Sequence, residues 1–448
     1  MNTRLHAPQG HKKEIPVDTI VTGMHVSSGI LLGLNAPLPA NQVGRFALSL
    51  RRLRKHGKGI ILRCRETFPY MIPVLSQVDG IISPRTTVAA KGHAAEFCRE
   101  EGKSFVVADE STWGALERHE GENILVDSRG QKIVVAPDRQ SAEKAAAGYA
   151  PLPETLLIAD LIKSGRHLSL LSTIPEPIGL PGKFSYFCRQ EQLVMSSGKS
   201  PWELLRRSKQ ECTEILYSLW NEYASAIQPD VEIVLRSLDA RSDEYPGSPL
   251  NHERNPQLGN HGPSLYSTYP HLLEAETAAI AKVKSDYRDK QITYLLPFVR
   301  TAKEIGLARK ALTDALADES LADDSVSLDV MYETPALPYL MRELTDANVK
   351  TIWIGTKDLM MSFIMVDRDN PSPQLQNYLK LLNDRGEPNL PFIAYLSETA
   401  GRFTDRGFKV VMYSLASETP TFAKYLPSRV GFLLSKGSVK AALSLLPE

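Results

Sequence analysis

Two carboxylates, Glu333 and Asp358, have the residue type and the spacing to hold a hard cation. Each comes after a short apolar run of β-forming residues, and a helical segment separates the two runs. Parallel strands end at the same edge of a sheet, which is where α/β folds place ligands. Two oxygen ligands that leave positions open for substrate suit Mg²⁺. We therefore predict a magnesium site, although helix N-caps or surface charges would place two acids in the same way.

Three arginines accompany these carboxylates. Arg189 and Arg236 each end an apolar run, and Arg368 lies ten residues beyond the second carboxylate. A guanidinium can hold a transferring phosphoryl group through two parallel hydrogen bonds, which a lysine cannot do. A surface ion pair would explain any one arginine, but the three together favour phosphate binding.

These side chains need a scaffold, and the chain alternates apolar runs with helical segments from about residue 155 to its end. The predicted strands are HLSLLS (167–172), FSYFCR (184–189), VEIVLR (231–236), ITYLLP (292–297), SLDVMY (327–332), KTIWIG (350–355), PFIAYL (391–396) and KVVMYS (409–414). Strands interleaved with helices in this number predict an α/β fold, a (β/α)8 TIM barrel over residues 155–448. Catalytic groups of such barrels lie just past the carboxyl ends of the strands, where the carboxylates and arginines fall.

The N-terminal part predicts a separate β/α domain over residues 17–137. Its predicted strands are GIILRC (59–64), GIIS (80–83), SFVVAD (104–109) and NILVDSRGQKIVV (123–135). Residues 1–16 are polar and predict a disordered tail. Residues 138–154 are rich in alanine, proline and charge, which predicts a linker between the two domains.

The motifs around the carboxylates closely resemble signatures of the phosphoenolpyruvate-utilising enzymes, in their usual order. They are Met331-Tyr332-Glu333-Thr334-Pro335, Ile354-Gly355-Thr356-Lys357-Asp358-Leu359 and Val366-Asp367-Arg368, with Arg189-Gln190-Glu191 and Arg236-Ser237-Leu238-Asp239 as further matches. That family includes enzyme I of the sugar phosphotransferase system, pyruvate phosphate dikinase and phosphoenolpyruvate synthase. The resemblance implies that Glu333 and Asp358 hold Mg²⁺ and that the arginines bind the phosphate of phosphoenolpyruvate.

His93 resembles the phosphoryl-carrying histidine of the same family. It precedes Ala94-Ala95 and opens a predicted helix, whose N-terminus helps to hold an anion. Neutral imidazole is a competent nucleophile near pH 7. Lys91 and Gly92 stand where the family has Thr-Ser. The resemblance implies that residues 17–137 are a swivelling phosphohistidine domain that moves on the linker.

The resemblance breaks at several positions that matter chemically. His261 and Ser264 replace two arginines that contact carboxylate and phosphate, Lys357 replaces an asparagine, and Glu244 replaces a lysine. His261 and Lys357 are still expected among the substrate-binding residues. The family's Cys-Gly-Glu, whose cysteine protonates the enolate of pyruvate, is placed at Leu396 and the residues after it, and leucine cannot move a proton. We therefore expect the metal and phosphate chemistry to be kept and the pyruvate half of the site to be altered.

The composition limits the classes of partner that are expected for this chain. The 448 residues include 52 Lys plus Arg and 52 Asp plus Glu, so no net field favours nucleic acid or an anionic membrane. Cys64, Cys98, Cys188 and Cys212 are scattered, which predicts neither a zinc site nor a disulfide framework. No run is long and apolar enough for a membrane span or a signal peptide, so a cytoplasmic protein is expected. If the chain forms a homodimer, the barrel is the expected interface.

Three functions remain open on the sequence. The first is a Mg²⁺-dependent phosphotransferase that moves a phosphoryl group from phosphoenolpyruvate, or a related phosphorylated acid, through His93 to an unknown acceptor. Neither an ATP-grasp domain nor a phosphocarrier-binding helical domain is recognisable, so neither usual phosphoryl acceptor has an obvious binding site. A specialised biosynthetic step would fit the altered residues of the site. The second is a catalytically degenerate family member that binds a phosphorylated metabolite or a partner as a regulator. The third is a barrel that performs carbon–carbon bond chemistry on a keto acid.

Overall fold

The chain divides into two compact units, Met1–Leu152 and Pro153–Glu448. In the first unit the computed structural model describes residues 13–16, 19–22, 30–37, 60–64, 78–84, 98, 101, 103–119, 123–127 and 132–135. In the second it describes residues 153–446, apart from 181–182, 246, 251–252, 369, 371 and 384–385. The predicted phosphoryl carrier His93 and most of the predicted linker lie outside the described residues.

The described part of the first unit contains a mixed sheet and a helix. The strands are β1 (Lys13–Pro16), β2 (Thr19–Thr22), β3 (Ile30–Pro37), β4 (Ile60–Arg63), β5 (Gly80–Pro84), β6 (Ser104–Ala108), β7 (Asn123–Asp127) and β8 (Lys132–Val135). Their order is β1-β8-β7-β3-β4-β5-β6-β2, with β3 to β6 parallel and the other pairs antiparallel. Helix α1 (Glu110–Glu117) begins at Asp109, whose carboxylate accepts from the Thr112 N–H at 2.6 Å. Trp113 and Leu116 of this helix pack into the apolar core of the sheet.

Two predictions for this unit were wrong. The stretch 123–135 is a hairpin of β7 and β8 rather than one strand, with Asp127 paired to Lys132. The residues between these strands, SRGQ, include the serine and glycine that favour a turn. The predicted disordered tail also overlaps β1, which adds to the sheet because β8 offers it an antiparallel ladder. The predicted strands at β4, β5 and β6 are confirmed.

The second unit is a closed barrel of eight parallel strands, which confirms the predicted TIM barrel. The strands are β9 (Leu168–Leu171), β10 (Phe184–Arg189), β11 (Glu232–Arg236), β12 (Ile292–Leu296), β13 (Val326–Tyr332), β14 (Thr351–Ile354), β15 (Lys409–Tyr413) and β16 (Gly431–Ser435). The described helices are α2 (Pro153–Lys163), α3 (Gln190–Ser196), α4 (Lys209–Ser225), α5 (Leu265–Thr268), α6 (Pro270–Asp286), α7 (Ala302–Asp318), α8 (Met341–Asp346), α9 (Thr356–Ile364), α10 (Pro373–Tyr378), α11 (Leu390–Asp405), α12 (Thr419–Tyr425) and α13 (Lys436–Leu443). None of the helices described has both the length and the hydropathy that a membrane crossing requires.

The predicted strand PFIAYL was wrong, because these residues begin helix α11. Asn389 caps the helix by accepting from the Phe392 N–H, and a proline stands in its first turn. The eighth strand is β16, a five-residue run that lies beyond the last predicted strand. The other predicted strands of the barrel are confirmed.

An apolar plug fills the middle of the barrel. It consists of Leu171, Phe187, Val234, Leu295, Met331, Trp353, Val411 and Leu433. Side chains alternate in direction along a strand, so Arg189 and Arg236, two positions beyond Phe187 and Val234, return to the barrel axis at its carboxyl end. We call this carboxyl end of the barrel the mouth. The register pairs Arg189 with Arg236 on neighbouring strands.

Candidate active site

Glu333 lies at the mouth immediately after β13, and its carboxylate is buried. One oxygen, Oε2, accepts a hydrogen bond from the Phe298 N–H at 2.8 Å. A Cβ on Gly355 would lie 2.3 Å from the other oxygen, so the carboxylate occupies space that only glycine leaves open. Burial raises the pKa of Glu333, and the nearby Asp358 charge raises it further. The charges of the two predicted metal ligands therefore lie close enough to affect each other.

Asp358 lies in the first turn of α9, where Arg368 contacts it. Nη1 of Arg368 lies 2.9 Å from one carboxylate oxygen and 3.1 Å from the other. Glu244 lies 4.0 Å from the same guanidinium and 2.9 Å from that of Arg241. The acid at position 244 therefore joins two arginines, a role that a lysine could not fill.

Arg236 is the centre of a buried ion cluster. It bonds to Glu191, and its Nη1 lies 3.1 Å from Asp239. Burial raises the pKa of Glu191 to about 7, against the opposing effect of the Arg236 charge. Burial alone would also raise the pKa of Asp239, but the Arg236 charge and a bond to His261 bring it below its usual range. Two acids therefore fix this arginine in place beside Arg189.

His261 supports the same cluster. Its Nδ1 lies 2.9 Å from Asp239, its Nε2 lies 3.1 Å from the Gln257 carbonyl oxygen, and the ring packs edge-on against Phe298. The side chain is only 2% exposed. Each ring nitrogen thus has a protein partner. The contact of Nδ1 holds Asp239 in position, so His261 supports the ion cluster.

Comparison with known proteins identifies the family. The PEP-binding domain of the PEP-utilising enzymes matches residues 178–403, which include the motifs at the mouth. The chain belongs to the PEP-utilising enzyme family. It is 26% identical over 413 residues to phosphoenolpyruvate synthase of Pyrococcus furiosus, a match that covers 89% of this chain and 48% of that protein.

Other relatives of this family member agree with the assignment. Multiphosphoryl transfer protein 1 of Escherichia coli (strain K12) is 22% identical over 297 residues, covering 60% of this chain and 33% of that protein. The probable phosphoenolpyruvate synthase of Archaeoglobus fulgidus is 25% identical, covering 76% and 44%. The chain therefore spans about half the length, or less, of these relatives.

The donor set of this PEP-utilising family member fits a metal held jointly with substrate. Among the residues that the structure describes, no three His, Cys, Asp or Glu side chains form a cage for a metal ion. Glu333 and Asp358 are instead a pair whose mutual repulsion a divalent cation would relieve. Two carboxylates with open positions match the preference of Mg²⁺ for waters and phosphate oxygens.

One residue does not take the place that the sequence predicted, and another stays untested. Leu396 is fully buried within helix α11, so the reasoning that it replaces the family cysteine at the end of the seventh strand was wrong. The seventh strand is β15, which ends at Tyr413 and is followed by Ser414. Lys357 is exposed in the first turn of α9, and its contact with phosphate stays a prediction.

Sequence reasoning missed Glu276, a fully buried acid on α6. It accepts hydrogen bonds from the hydroxyls of Tyr266 at 2.7 Å and Tyr294 at 2.6 Å, and from the Leu238 N–H at 3.2 Å. Because Leu238 precedes Asp239, these bonds position the acid that holds Arg236. The signal was present, since Glu276 lies on the apolar stripe of an amphipathic helix.

Proposed function

We propose that this protein is a Mg²⁺-dependent phosphotransferase that uses phosphoenolpyruvate or a related phosphorylated acid. The observation that supports this most is the pair Glu333 and Asp358 at the mouth, beside the arginines Arg236 and Arg368. The pair offers oxygen ligands to a hard cation, and the arginines offer donors to phosphate oxygens. Family membership adds to the proposal, because relatives with this domain are named as phosphoenolpyruvate synthases and phosphoryl transfer proteins.

In the proposed reaction the bond between phosphorus and the enol oxygen breaks. A bond forms between phosphorus and a ring nitrogen of His93, and the enolate takes up a proton on carbon to give pyruvate. Glu333 and Asp358 would hold Mg²⁺, which supplies positive charge to the phosphoryl oxygens when bound. Glu191 and Asp239 keep Arg236 fixed, so its guanidinium needs little reorganisation to meet the developing charge.

The linker and the histidine domain complete the proposal. In-line transfer requires reacting atoms about 3–3.5 Å apart. His93 would therefore visit the mouth to collect the phosphoryl group and leave it to reach the acceptor. Residues 138–154 would be the hinge of that movement.

Intact-mass spectrometry after incubation with phosphoenolpyruvate and Mg²⁺ tests the proposal. We expect the chain to gain the mass of one phosphoryl group, and His93→Ala and Glu333→Gln to abolish the gain. His119→Ala, a histidine of the same unit, should behave like the wild type. No gain in the wild type, with phosphoenolpyruvate binding retained, would instead support the degenerate, metabolite-binding member.

A further inference from the structure

The positive charges at the mouth differ in how they are compensated. Arg236 contacts Glu191 and Asp239, Arg241 contacts Glu244, and Arg368 contacts Asp358. Arg300 is different, because no carboxylate oxygen of the described residues lies within 4.0 Å of its guanidinium. The carboxylates that balance its charge, Glu304 first among them, act from farther away, so an anionic ligand could pair with the guanidinium directly.

The guanidinium of Arg300 is nevertheless held firmly. It donates to the carbonyl oxygens of His261 at 3.1 Å and Gly259 at 3.0 Å, and lies 4.8 Å from the centre of the Phe298 ring. Burial lowers the pKa of Arg300, while the charge of Glu304, and then that of Asp239, oppose this. Nη2 of Arg300 also lies 3.3 Å from Nε2 of His261. An arginine has five N–H donors, so these three contacts still leave donors for a ligand.

The loop that carries Arg300 is tied to the metal-site acid. Arg300 lies four residues after the end of β12, and Phe298 in the same loop donates its N–H to Glu333. Phe298 has a φ of +48°, which is unusual for an aromatic residue and marks a constrained backbone. His261 packs on Phe298, and Gly262 approaches the Pro297 carbonyl so closely that a Cβ would lie 3.2 Å from it. These contacts fix Arg300 on the rim of the mouth.

We propose that Arg300 binds the carboxylate of the substrate. This rests on the proposed function, in which Arg236 and Arg368 take the phosphate. The two positions where the resemblance has arginines cannot serve, because the ring nitrogens of His261 have protein partners and the Ser264 hydroxyl donates toward Asn260 and His261 at 2.8 Å. Arg300 contacts His261 from a different loop, and its remaining N–H donors can bind a carboxylate oxygen.

Calorimetric titrations with three ligands, each in the presence of Mg²⁺, test this assignment. Phosphoenolpyruvate has both anionic groups, methyl phosphate has only the phosphate, and pyruvate has only the carboxylate. In Arg300→Met we expect binding of phosphoenolpyruvate and pyruvate to weaken by about 10- to 100-fold, the usual effect of losing a charged hydrogen bond. Methyl phosphate should bind as before, within about twofold. Arg300→Lys should recover part of the loss.

Arg342→Met is the matched control, since Arg342 is 89% exposed on α8 and pairs with Asp346 on the same helix. Equal weakening of phosphoenolpyruvate and methyl phosphate in Arg300→Met would overturn the assignment, as would no change for either. If the wild type binds pyruvate but neither phosphate ligand, and Arg300→Met no longer binds pyruvate, the proposed function is refuted. Arg300 would still be the residue that binds the carboxylate. A wild type that binds none of the ligands would overturn both.

Discussion

At the scale of single residues, the absence of a side chain at Gly355 is as important as the presence of one at Glu333. The carboxylate of Glu333 lies where a Cβ on residue 355 would be, at 2.3 Å. No real contact is that short, so any larger residue would displace the acid. The glycine therefore belongs to the proposed metal site although it offers no ligand.

Gly355→Ala tests this point. We expect the added methyl to displace Glu333 and to weaken Mg²⁺ binding by at least about tenfold, the equivalent of about 1.4 kcal/mol. Gly306→Ala is the control, because a Cβ at this position of α7 meets nothing within 4 Å. It should leave binding unchanged and stabilise the helix by up to about 1 kcal/mol. Unchanged Mg²⁺ affinity in Gly355→Ala would show that the position of Glu333 is not decisive.

The candidate site was predictable from sequence where a polar residue directly ends a strand. Arg189 and Arg236 are the last residues of β10 and β11, and Glu333 follows β13. Arg300 and Glu276 escaped prediction for different physical reasons. The position of Arg300 depends on a loop conformation that no local sequence pattern specifies. Glu276 is an acid on a helix, and acidic side chains on helices are usually exposed to solvent.

At the scale of elements, the errors came from short apolar runs. In PFIAYL the buried positions Phe392, Ile393 and Leu396 are continued by Thr399, Ala400 and Phe403, which is a helical period that becomes visible only over a longer window. The run GFLLS of β16 is too short to show any period. The barrel was still predictable, because the false strand PFIAYL and the missed strand β16 cancel in the count, which stays at eight strands.

His167, at the amino end of the barrel, leads to a prediction about how the stability of the protein depends on pH. His167 precedes β9 and lies 3.2 Å from the Ser169 hydroxyl. Burial, and then the Lys409 charge, lower its pKa to about 3. The unfolded chain therefore binds this proton more readily than the folded chain between about pH 6.5 and the folded value. Stability associated with neutral His167 is lost as the pH falls through that window.

Denaturant unfolding of His167→Gln between pH 7.5 and 4.5 tests this. The wild type should lose free energy of unfolding faster than the variant as the pH falls, by at most roughly 1.4 kcal/mol per pH unit. Above pH 7 the free energies of unfolding of the two proteins should change with pH in parallel. Equal slopes throughout the range would show that the folded barrel accepts a proton on His167 as easily as the unfolded chain does.

At the scale of the whole molecule, the division at Leu152 and Pro153 separates a closed barrel from the sheet domain. A closed barrel has no free sheet edge and has its own apolar plug, so it contains what an independent folding unit needs. The swivelling movement, and a homodimer formed through the barrel, stay predictions.

The fragment 153–448 tests this independence. We expect it to unfold cooperatively and to bind phosphoenolpyruvate as the full chain does, because all the described mouth residues lie within it. It should not gain a phosphoryl group, since it lacks His93. Loss of cooperative unfolding would mean that the barrel needs the sheet domain to fold.

The central claim is that Glu333 and Asp358 together hold one divalent cation at the mouth. Calorimetric titration of the full chain with Mg²⁺, repeated on Glu333→Gln and Asp358→Asn, tests it most directly. Asp318→Asn, at the exposed end of α7, is the control. We predict that either site substitution abolishes Mg²⁺ binding while the control binds like the wild type. Unchanged affinity in both site variants would contradict the claim.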